Sequence, residues 1–354
     1  MNEMLQRVVS SGAAPHIAGM AADRGGVIYE GAAGPVTVDS VFRIASMTKM
    51  ICTVAALQLR DSGDLDFSAP VEAYCGDFAS VQVLENNHLR TPNSRATVHQ
   101  LVTHTSGLSY GFWNAALAGW DDDLFTAPMV ADPGTTFEYG ISTDWLGRVI
   151  EAVSGQSLDK HLAEHILTPL GMDSTTFVLD EEQRARCVPV HVKNDDGTWS
   201  ATDFDWDQQP GRFAGGHGLY STPRDYLRFQ RMLLGGGTPI LDPATVREAF
   251  RNQIGDLWFP ATIRTADPAW SCDFRPGSGM KWGWGLLLNT IGQPGMRSAG
   301  SGGWAGAFNT FFWIDPAAGI TGALYMQTLP FLSPDALRVY ADFERAVYAR
   351  KGDR

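Results

Sequence analysis

Short apolar runs mark both ends of the chain. His16–Ala22 and Val27–Ala32 are separated by a short segment with two adjacent glycines. Glycine supplies the positive φ that a tight turn needs, so the two runs predict a β-hairpin. Ala307–Ile314 and Ile320–Met326 are a second pair of runs, joined by a segment with turn composition. The pattern therefore predicts antiparallel strands from both termini.

Helical patterns occupy the rest of the chain. Ser46–Leu59 is nearly apolar on every side, which predicts a buried helix, and Gly63 follows it as a stop signal. Loops dominate from about Asp64 to Pro210. Further helices are predicted over Thr97–Val102, Asp144–Val153, Leu158–Leu167, Pro223–Leu234, Pro243–Phe250 and from Ser333-Pro334 onward.

These elements predict an α/β (α+β) fold with a central antiparallel sheet flanked by helices. Residues 1–64 and 215–354 are predicted to form the sheet domain, and residues 65–214 an inserted, mainly helical and loop-rich lobe. Ligand sites commonly lie in clefts between such parts, so we expect the active site there.

The composition of the chain excludes some classes of function and location. The net charge is 27 − 39 = −12, which argues against a nucleic-acid partner. The sequence shows neither a signal-peptide pattern nor an apolar stretch of about 18 residues, so no membrane association is expected. The four Cys are far apart and are predicted to be free thiols in a reducing compartment, which favours a cytoplasmic location.

Three Ser-x-x-Lys matches compete for the role of nucleophile and base. Ser157 is predicted to cap a polar helix, and Ser278 lies in a glycine-rich loop that holds nothing rigidly. Ser46 instead begins the buried helix, where its N–H and the helix dipole face a developing negative charge. Lys49 lies three residues on, on the same helix face, and an apolar surrounding lowers the pKa of its ammonium. The neutral amine can then accept the hydroxyl proton of Ser46.

The segment Val41–Lys49 resembles the active-site segment of class C β-lactamases and family VIII carboxylesterases. The resemblance continues through His104–Leu108, Pro133-Gly134, Pro169–Met172 and Gly218–Thr222, and so covers nearly the whole chain. It implies a β-lactamase/transpeptidase-like fold within the serine β-lactamase and penicillin-binding-protein superfamily. It also implies an acyl-enzyme on Ser46 and no cofactor.

The resemblance implies a third catalytic residue, Tyr139, whose phenol shuttles the proton to the leaving group. An adjacent ammonium is expected to lower its pKa. The sequence departs from the pattern just after this residue. Ile141 stands where β-lactamases have Asn, and Gly140 stands where the esterases commonly have Ser.

The family's third element is Lys-Thr-Gly in β-lactamases and Trp-Gly-Gly in family VIII esterases. Trp304-Ala305-Gly306 resembles the esterase form and is the expected substrate-binding element, whereas Lys281-Trp282-Gly283 does not precede the expected strand. The alignment implies an oxyanion hole formed by the N–H groups of Ser46 and Ala307. Trp304 cannot offer a cation to a substrate carboxylate. It is expected to form an apolar wall, which favours neutral esters over penicillins.

The sequence favours a carboxylesterase that acts on a small-molecule ester or amide. D-amino-acid amidase or peptidase, weak β-lactamase and acyltransferase activities on the same fold stay open, as does an inactive scaffold. A Ser-His-Asp triad is disfavoured because no Gly-x-Ser-x-Gly elbow occurs. His217 and His104 are interpreted as loop histidines, and the eight His show no metal-like spacing.

Overall fold

A seven-stranded antiparallel sheet forms the centre of the computed structural model, which describes residues 1–118, 120 and 125–352. The strands of the chain are β1 (Ile17–Asp23), β2 (Val27–Ala33), β3 (Phe42–Arg43), β4 (Val83–Glu85), β5 (His88–Arg90), β6 (His191–Lys193), β7 (Trp199–Ala201), β8 (Tyr220–Ser221), β9 (Lys281–Trp282), β10 (Leu287–Leu288), β11 (Gly302–Gly306), β12 (Thr310–Asp315), β13 (Ile320–Tyr325) and β14 (Thr328–Leu329). The order in the large sheet is β2-β1-β13-β12-β11-β10-β9.

The large sheet joins the two ends of the chain, as the sequence predicts. The hairpin of β1 and β2 pairs with β13, where Ala18 lies opposite Tyr325 and Asp23 opposite Ile320. The predicted strand at Ala307 begins instead at Thr310, because residues 307–309 form the turn after β11. β11 itself is not predicted from the pattern of apolar residues, because glycine is depleted in strands and Gly302-Gly303 resembles a loop.

Nine α-helices pack around the sheets within the described residues. They are α1 (Asn2–Ser10), α2 (Thr48–Asp61), α3 (Val98–Val102), α4 (Ser142–Ser154), α5 (Leu158–Leu162), α6 (Glu181–Ala185), α7 (Pro223–Leu234), α8 (Pro243–Ala249) and α9 (Pro334–Gly352). The predicted helix Leu158–Leu167 is divided, because a π-helical turn over Ala163–Leu167 follows α5. No helix in the described part of the chain is long and apolar enough to span a bilayer.

Side-chain alternation along β1 places α7 and α9 on opposite faces of the sheet. A Cβ at Gly19 would collide with the ring of Phe343 on α9, whereas the neighbouring Met20 packs with Leu227 of α7. Successive strand residues point to opposite faces, so both faces of the sheet are covered. Because helices cover both of its faces, the sheet is a rigid support for the elements that lie next to β11.

The predicted buried helix begins later than expected. A 3-10 turn over Ala45–Met47 precedes α2, and Ala45 has a φ of 44°, which a residue with a side chain rarely adopts. Such strained residues persist only where the surrounding structure fixes them, and they cluster at functional sites. Ser46 therefore lies in a tight turn at the entrance to α2 rather than in the helix itself.

Candidate active site

Ser46 and Lys49 meet at the start of α2. The Nζ atom of Lys49 lies 3.2 Å from the Oγ atom of Ser46. Lys49 is only 1% exposed, although lysine is seldom buried. Burial lowers the pKa of its ammonium to about 8, and the nearby Asp144 carboxylate, with a smaller effect from Cys52, opposes that change. The amine is therefore available in its neutral form near physiological pH.

Two further acceptors fix the amine of Lys49. Its Nζ atom lies 2.8 Å from the Oη atom of Tyr110 and 2.7 Å from the carbonyl oxygen of Gly216. A neutral amine has two N–H donors and one lone pair. When the two donors bind Tyr110 and Gly216, the lone pair is left for the hydroxyl proton of Ser46.

A buried carboxylate lies behind this amine. The Asp144 side chain is fully buried, its Oδ1 atom accepts the Gly216 N–H at 3.0 Å, and Nδ1 of His217 lies 3.4 Å from the same oxygen. Burial acts to raise the pKa of the Asp144 carboxyl, but the hydrogen bond from His217 and the charges of His217 and Lys49 hold it below its ordinary value. The carboxylate thus balances the charge of a protonated Lys49.

Tyr139 faces the same amine with its ring. Nζ of Lys49 lies 4.9 Å from the ring centroid, and the indole N–H of Trp304 donates to the phenol oxygen at 2.7 Å. Burial raises the pKa of the Tyr139 phenol, and the hydrogen bonds with Ser46 and Trp304 oppose that rise. The expectation that an ammonium lowers this pKa is therefore wrong. Burial dominates, and the cation lies against the ring rather than at the oxygen.

The Trp304-Ala305-Gly306 element lies behind Tyr139 and on β11. Trp304 and Ala305 line a separate cavity of about 90 Å³, and they do not belong to the described wall of the large cleft. A Cβ at Gly306 would collide with the carbonyl oxygen of Ile44, so only glycine allows β11 to approach the turn that carries Ser46 so closely. Ala307 follows directly and lines the cleft beside Ser46.

A cleft of about 630 Å³ opens in front of Ser46. Small and apolar residues, including Ala45 and Ile141, form part of its wall. The aromatic side chains that line it are Tyr110, Phe112, Trp120, Phe204, Trp206, Trp270 and Phe308. The cleft is large enough for a small organic substrate and offers it mainly apolar contacts.

His217 is more than the loop histidine expected from the sequence, because it lines the cleft as well as contacting Asp144. His104 is buried, has a φ of 54° and packs its ring 4.6 Å from that of Tyr139, as a supporting residue would. Lys281 is directed elsewhere, since its Nζ bonds the carbonyl oxygens of Gly255 and Leu257.

Sequence reasoning missed Tyr110 and Asp144. Tyr110 lies two residues after the His104–Leu108 motif, and Asp144 lies five residues after Tyr139. Both positions therefore adjoin recognised segments, and that proximity is the signal that points to them. Their contact with Lys49 depends on how distant segments pack.

A family model described as Beta-lactamase matches residues 1–346 of the chain. The chain is 28% identical over 345 residues to a monacolin J acid methylbutanoyltransferase of Aspergillus terreus, covering 89% of this chain and 84% of that protein. It is 30% identical over 332 residues to a lovastatin esterase of Penicillium rubens, covering 85% and 83% of the two proteins.

Solved structures of similar proteins have the same fold as this chain. A variant of simvastatin synthase from Aspergillus terreus superposes with a TM-score of 0.88 at 27% identity, covering 99% of this chain and 94% of that one. EstCE1, described as a hydrolase with promiscuous acyltransferase activity, superposes with a TM-score of 0.80 at 20% identity, covering 98% and 97%, and supports the fold alone. The predicted fold and superfamily are confirmed: the chain belongs to the Beta-lactamase family and is an enzyme of its serine hydrolase and acyltransferase branch.

Proposed function

We propose that the chain hydrolyses small carboxylic esters through an acyl-enzyme on Ser46. The observation that carries the proposal is the environment of Lys49. Its amine is buried, lies 3.2 Å from Oγ of Ser46 and has its other contacts with Tyr110 and Gly216. An amine held in this way is a general base aimed at one hydroxyl group.

The acylation half-reaction follows from these contacts. Lys49 accepts the hydroxyl proton while Oγ of Ser46 attacks the ester carbonyl, and a tetrahedral oxyanion forms. The C–O bond to the alcohol then breaks and the phenol of Tyr139 protonates the alcohol oxygen, while Lys49 keeps the proton released by Ser46. The N–H groups of Ser46 and Ala307 are the proposed oxyanion donors, and β11 brings Ala307 to the same cleft.

The deacylation half-reaction uses the same groups in the reverse direction. Water gives a proton to the pair of Tyr139 and Lys49 and attacks the acyl carbonyl, and the Ser46 oxygen leaves with that proton. No cofactor takes part. Trp304 has a positioning role in this scheme, because its indole N–H stabilises the phenol oxygen when that oxygen carries negative charge.

Acyl transfer to an alcohol is the second candidate. Relatives named for methylbutanoyl transfer and for lovastatin ester cleavage share the family, and the two activities differ only in whether an alcohol or water accepts the acyl group. The aromatic wall of the cleft favours this candidate, because it can bind an apolar alcohol close to Ser46.

β-Lactam hydrolysis is disfavoured. Among the described residues that line the cleft, none is a lysine or arginine that could bind the carboxylate of a β-lactam. Ile141, which replaces the Asn of β-lactamases, lines the cleft with an apolar side chain instead.

The test is a paired assay of the purified protein on p-nitrophenyl butyrate and nitrocefin, beside the Ser46→Ala variant. We expect rapid ester cleavage that the variant lacks and little nitrocefin turnover. Adding a primary alcohol then measures the share of butyrate that is transferred rather than hydrolysed. Ester cleavage that persists in Ser46→Ala would refute the proposal.

A further inference from the structure

We propose that the cleft selects esters that carry a positive charge of the alkylammonium type. This inference rests on the proposed ester hydrolysis and names its substrate class. It is carried by aromatic rings, by an acidic side chain and by the absence of lysine and arginine among the described residues that line the cleft.

Four of the cleft's aromatic side chains form one packed cluster, in which Phe308 is buried and the other three are half-buried. The ring of Phe204 lies 5.8 Å from that of Trp270 and 5.3 Å from that of Phe308, and Trp206 lies 6.2 Å from Phe308, measured between centroids. All four line the cleft that contains Ser46. Aromatic rings attract alkylammonium groups through their negatively polarised faces, and Trp gives the strongest interaction.

A carboxylate completes this wall. Asp267 lines the cleft, and its backbone joins both flanking aromatic residues, since its N–H donates to the Phe112 carbonyl at 3.3 Å and its carbonyl accepts the Trp270 N–H at 3.2 Å. One carboxylate oxygen accepts the Ala269 N–H at 2.9 Å. Asp267 is the one Asp or Glu among the described lining residues, and no Lys or Arg accompanies it there.

The segment Asp203–Asp207 carries further negative charge next to the cleft wall. Its acidic and aromatic residues alternate, with Asp203 and Asp207 exposed and Phe204 and Trp206 half-buried in the cleft wall. Asp205 is paired with Arg43 and Arg184, but Asp203 and Asp207 have no ion pair within the described residues. The chain as a whole carries a net charge of −12. Charges of one sign around a cleft raise the local concentration of oppositely charged ligands.

The charge of Lys49 does not cancel the negative charge around the cleft. Lys49 is buried, and its charge is faced by the buried carboxylate of Asp144. His217 also lines the cleft, and its Nδ1 contacts the same carboxylate. Among the described lining residues, Asp267 is therefore the acidic group whose charge is not balanced by a lysine or arginine of the cleft wall.

The test compares two esters that differ in charge, and each kcat/KM is divided by the rate constant for hydrolysis of the same ester by hydroxide, because the ammonium group also makes choline a better leaving group. Butyrylcholine and 3,3-dimethylbutyl butyrate have nearly the same shape, because a carbon replaces the nitrogen of the quaternary ammonium group. We expect kcat/KM to be about fivefold to thirtyfold higher for butyrylcholine, which corresponds to the usual strength of a cation–π site. Raising the salt concentration should reduce the preference, because salt screens the field of the rim.

Asp267→Asn and Trp270→Leu are the informative variants. Asn preserves the acceptor for the Ala269 N–H, so Asp267→Asn removes the charge without removing the turn. Each variant should reduce the ratio of the two kcat/KM values at least about threefold. Asp195→Asn is the matched control, since Asp195 is an exposed acid that does not line the cleft, and its ratio should equal that of the wild type.

The outcomes separate this inference from the proposed function. Equal kcat/KM values for the two esters, or an unchanged ratio in Asp267→Asn and Trp270→Leu, would overturn the charge selection and leave Ser46-dependent ester hydrolysis intact. If the wild type cleaves no ester, the proposed function fails. In that case the charge selection is tested by itself: the Ser46→Ala protein is titrated with each ester, and binding is monitored by tryptophan fluorescence. Tighter binding of butyrylcholine supports it, and equal binding overturns it.

Discussion

Replacing Trp304 with Phe tests whether the indole N–H acts on the reaction. The change keeps an aromatic ring on β11 but removes the hydrogen bond of 2.7 Å to the phenol oxygen of Tyr139. Both side chains are buried, with Trp304 6% and Tyr139 4% exposed, so water does not readily replace the lost donor. The phenol oxygen of Trp304→Phe therefore loses a partner at the step in which it carries negative charge.

The magnitude follows from the charge on the acceptor. A hydrogen bond to a charged group contributes about 1.5–3 kcal/mol, compared with about 0.5–1.5 kcal/mol for a neutral pair. A loss of about 1.5–3 kcal/mol from the transition state lowers kcat/KM about 10-fold to 150-fold. The direction of the Tyr139 pKa agrees, because the hydrogen bond from Trp304 opposes the rise that burial causes.

Steady-state kinetics on p-nitrophenyl butyrate measure the effect, with thermal unfolding measured in parallel. Trp284→Phe is the matched control. Trp284 is also buried, packs against Phe67 at 5.6 Å between ring centroids, and its indole nitrogen has no hydrogen-bond partner among the described residues. Both variants lose the same volume, so both should lose stability, but only Trp304→Phe should lose a large factor in kcat/KM. Equal kcat/KM values for the two variants would refute the positioning role.

Three further changes probe the same site. Because the pKa of Lys49 is lowered to about 8 and the neutral amine is the active form, kcat/KM should rise with pH up to about 8 and then level off. A flat profile from about pH 6 to about pH 9 would contradict the role of Lys49 as the base. Tyr110→Phe removes one of the acceptors that orient the amine of Lys49, so it should lower kcat about 10-fold or more with a smaller change in KM. An unchanged kcat would exclude this orienting role of Tyr110. Gly306→Ala should reduce activity and melting temperature together because its Cβ collides with the Ile44 carbonyl, whereas Gly76→Ala, whose Cβ would meet nothing within 4 Å, should reduce neither.

The sequence predicts the parts of the site that lie close together along the chain. Ser46 and Lys49 share one turn at the start of a buried helix, and the apolar residues around Lys49 indicate its lowered pKa. The hairpin of β1 and β2 and the helix α7 are also predictable, because glycine turns, capping residues and periodicity are local signals.

Contacts between distant segments are harder to predict. Tyr110 reaches Lys49 across 61 residues, and the indole of Trp304 reaches Tyr139 across 165 residues. The motif predicts that Trp304 lies near the site, but it does not predict the direction of its side chain. The apolar wall that was expected from Trp304 is formed by other residues, such as Phe204 and Trp270. The division into residues 1–64 with 215–354 and an inserted lobe over 65–214 stays a prediction.

Detection of the acyl-enzyme tests the central claim most directly. The protein is mixed with p-nitrophenyl butyrate, quenched in acid during turnover, and analysed by intact mass and by peptide mapping. We expect an increase in mass of one butyryl group on the peptide that contains Ser46, and no increase in Ser46→Ala. A butyryl group on another residue, or a burst of p-nitrophenol release without any acylated Ser46, would contradict it.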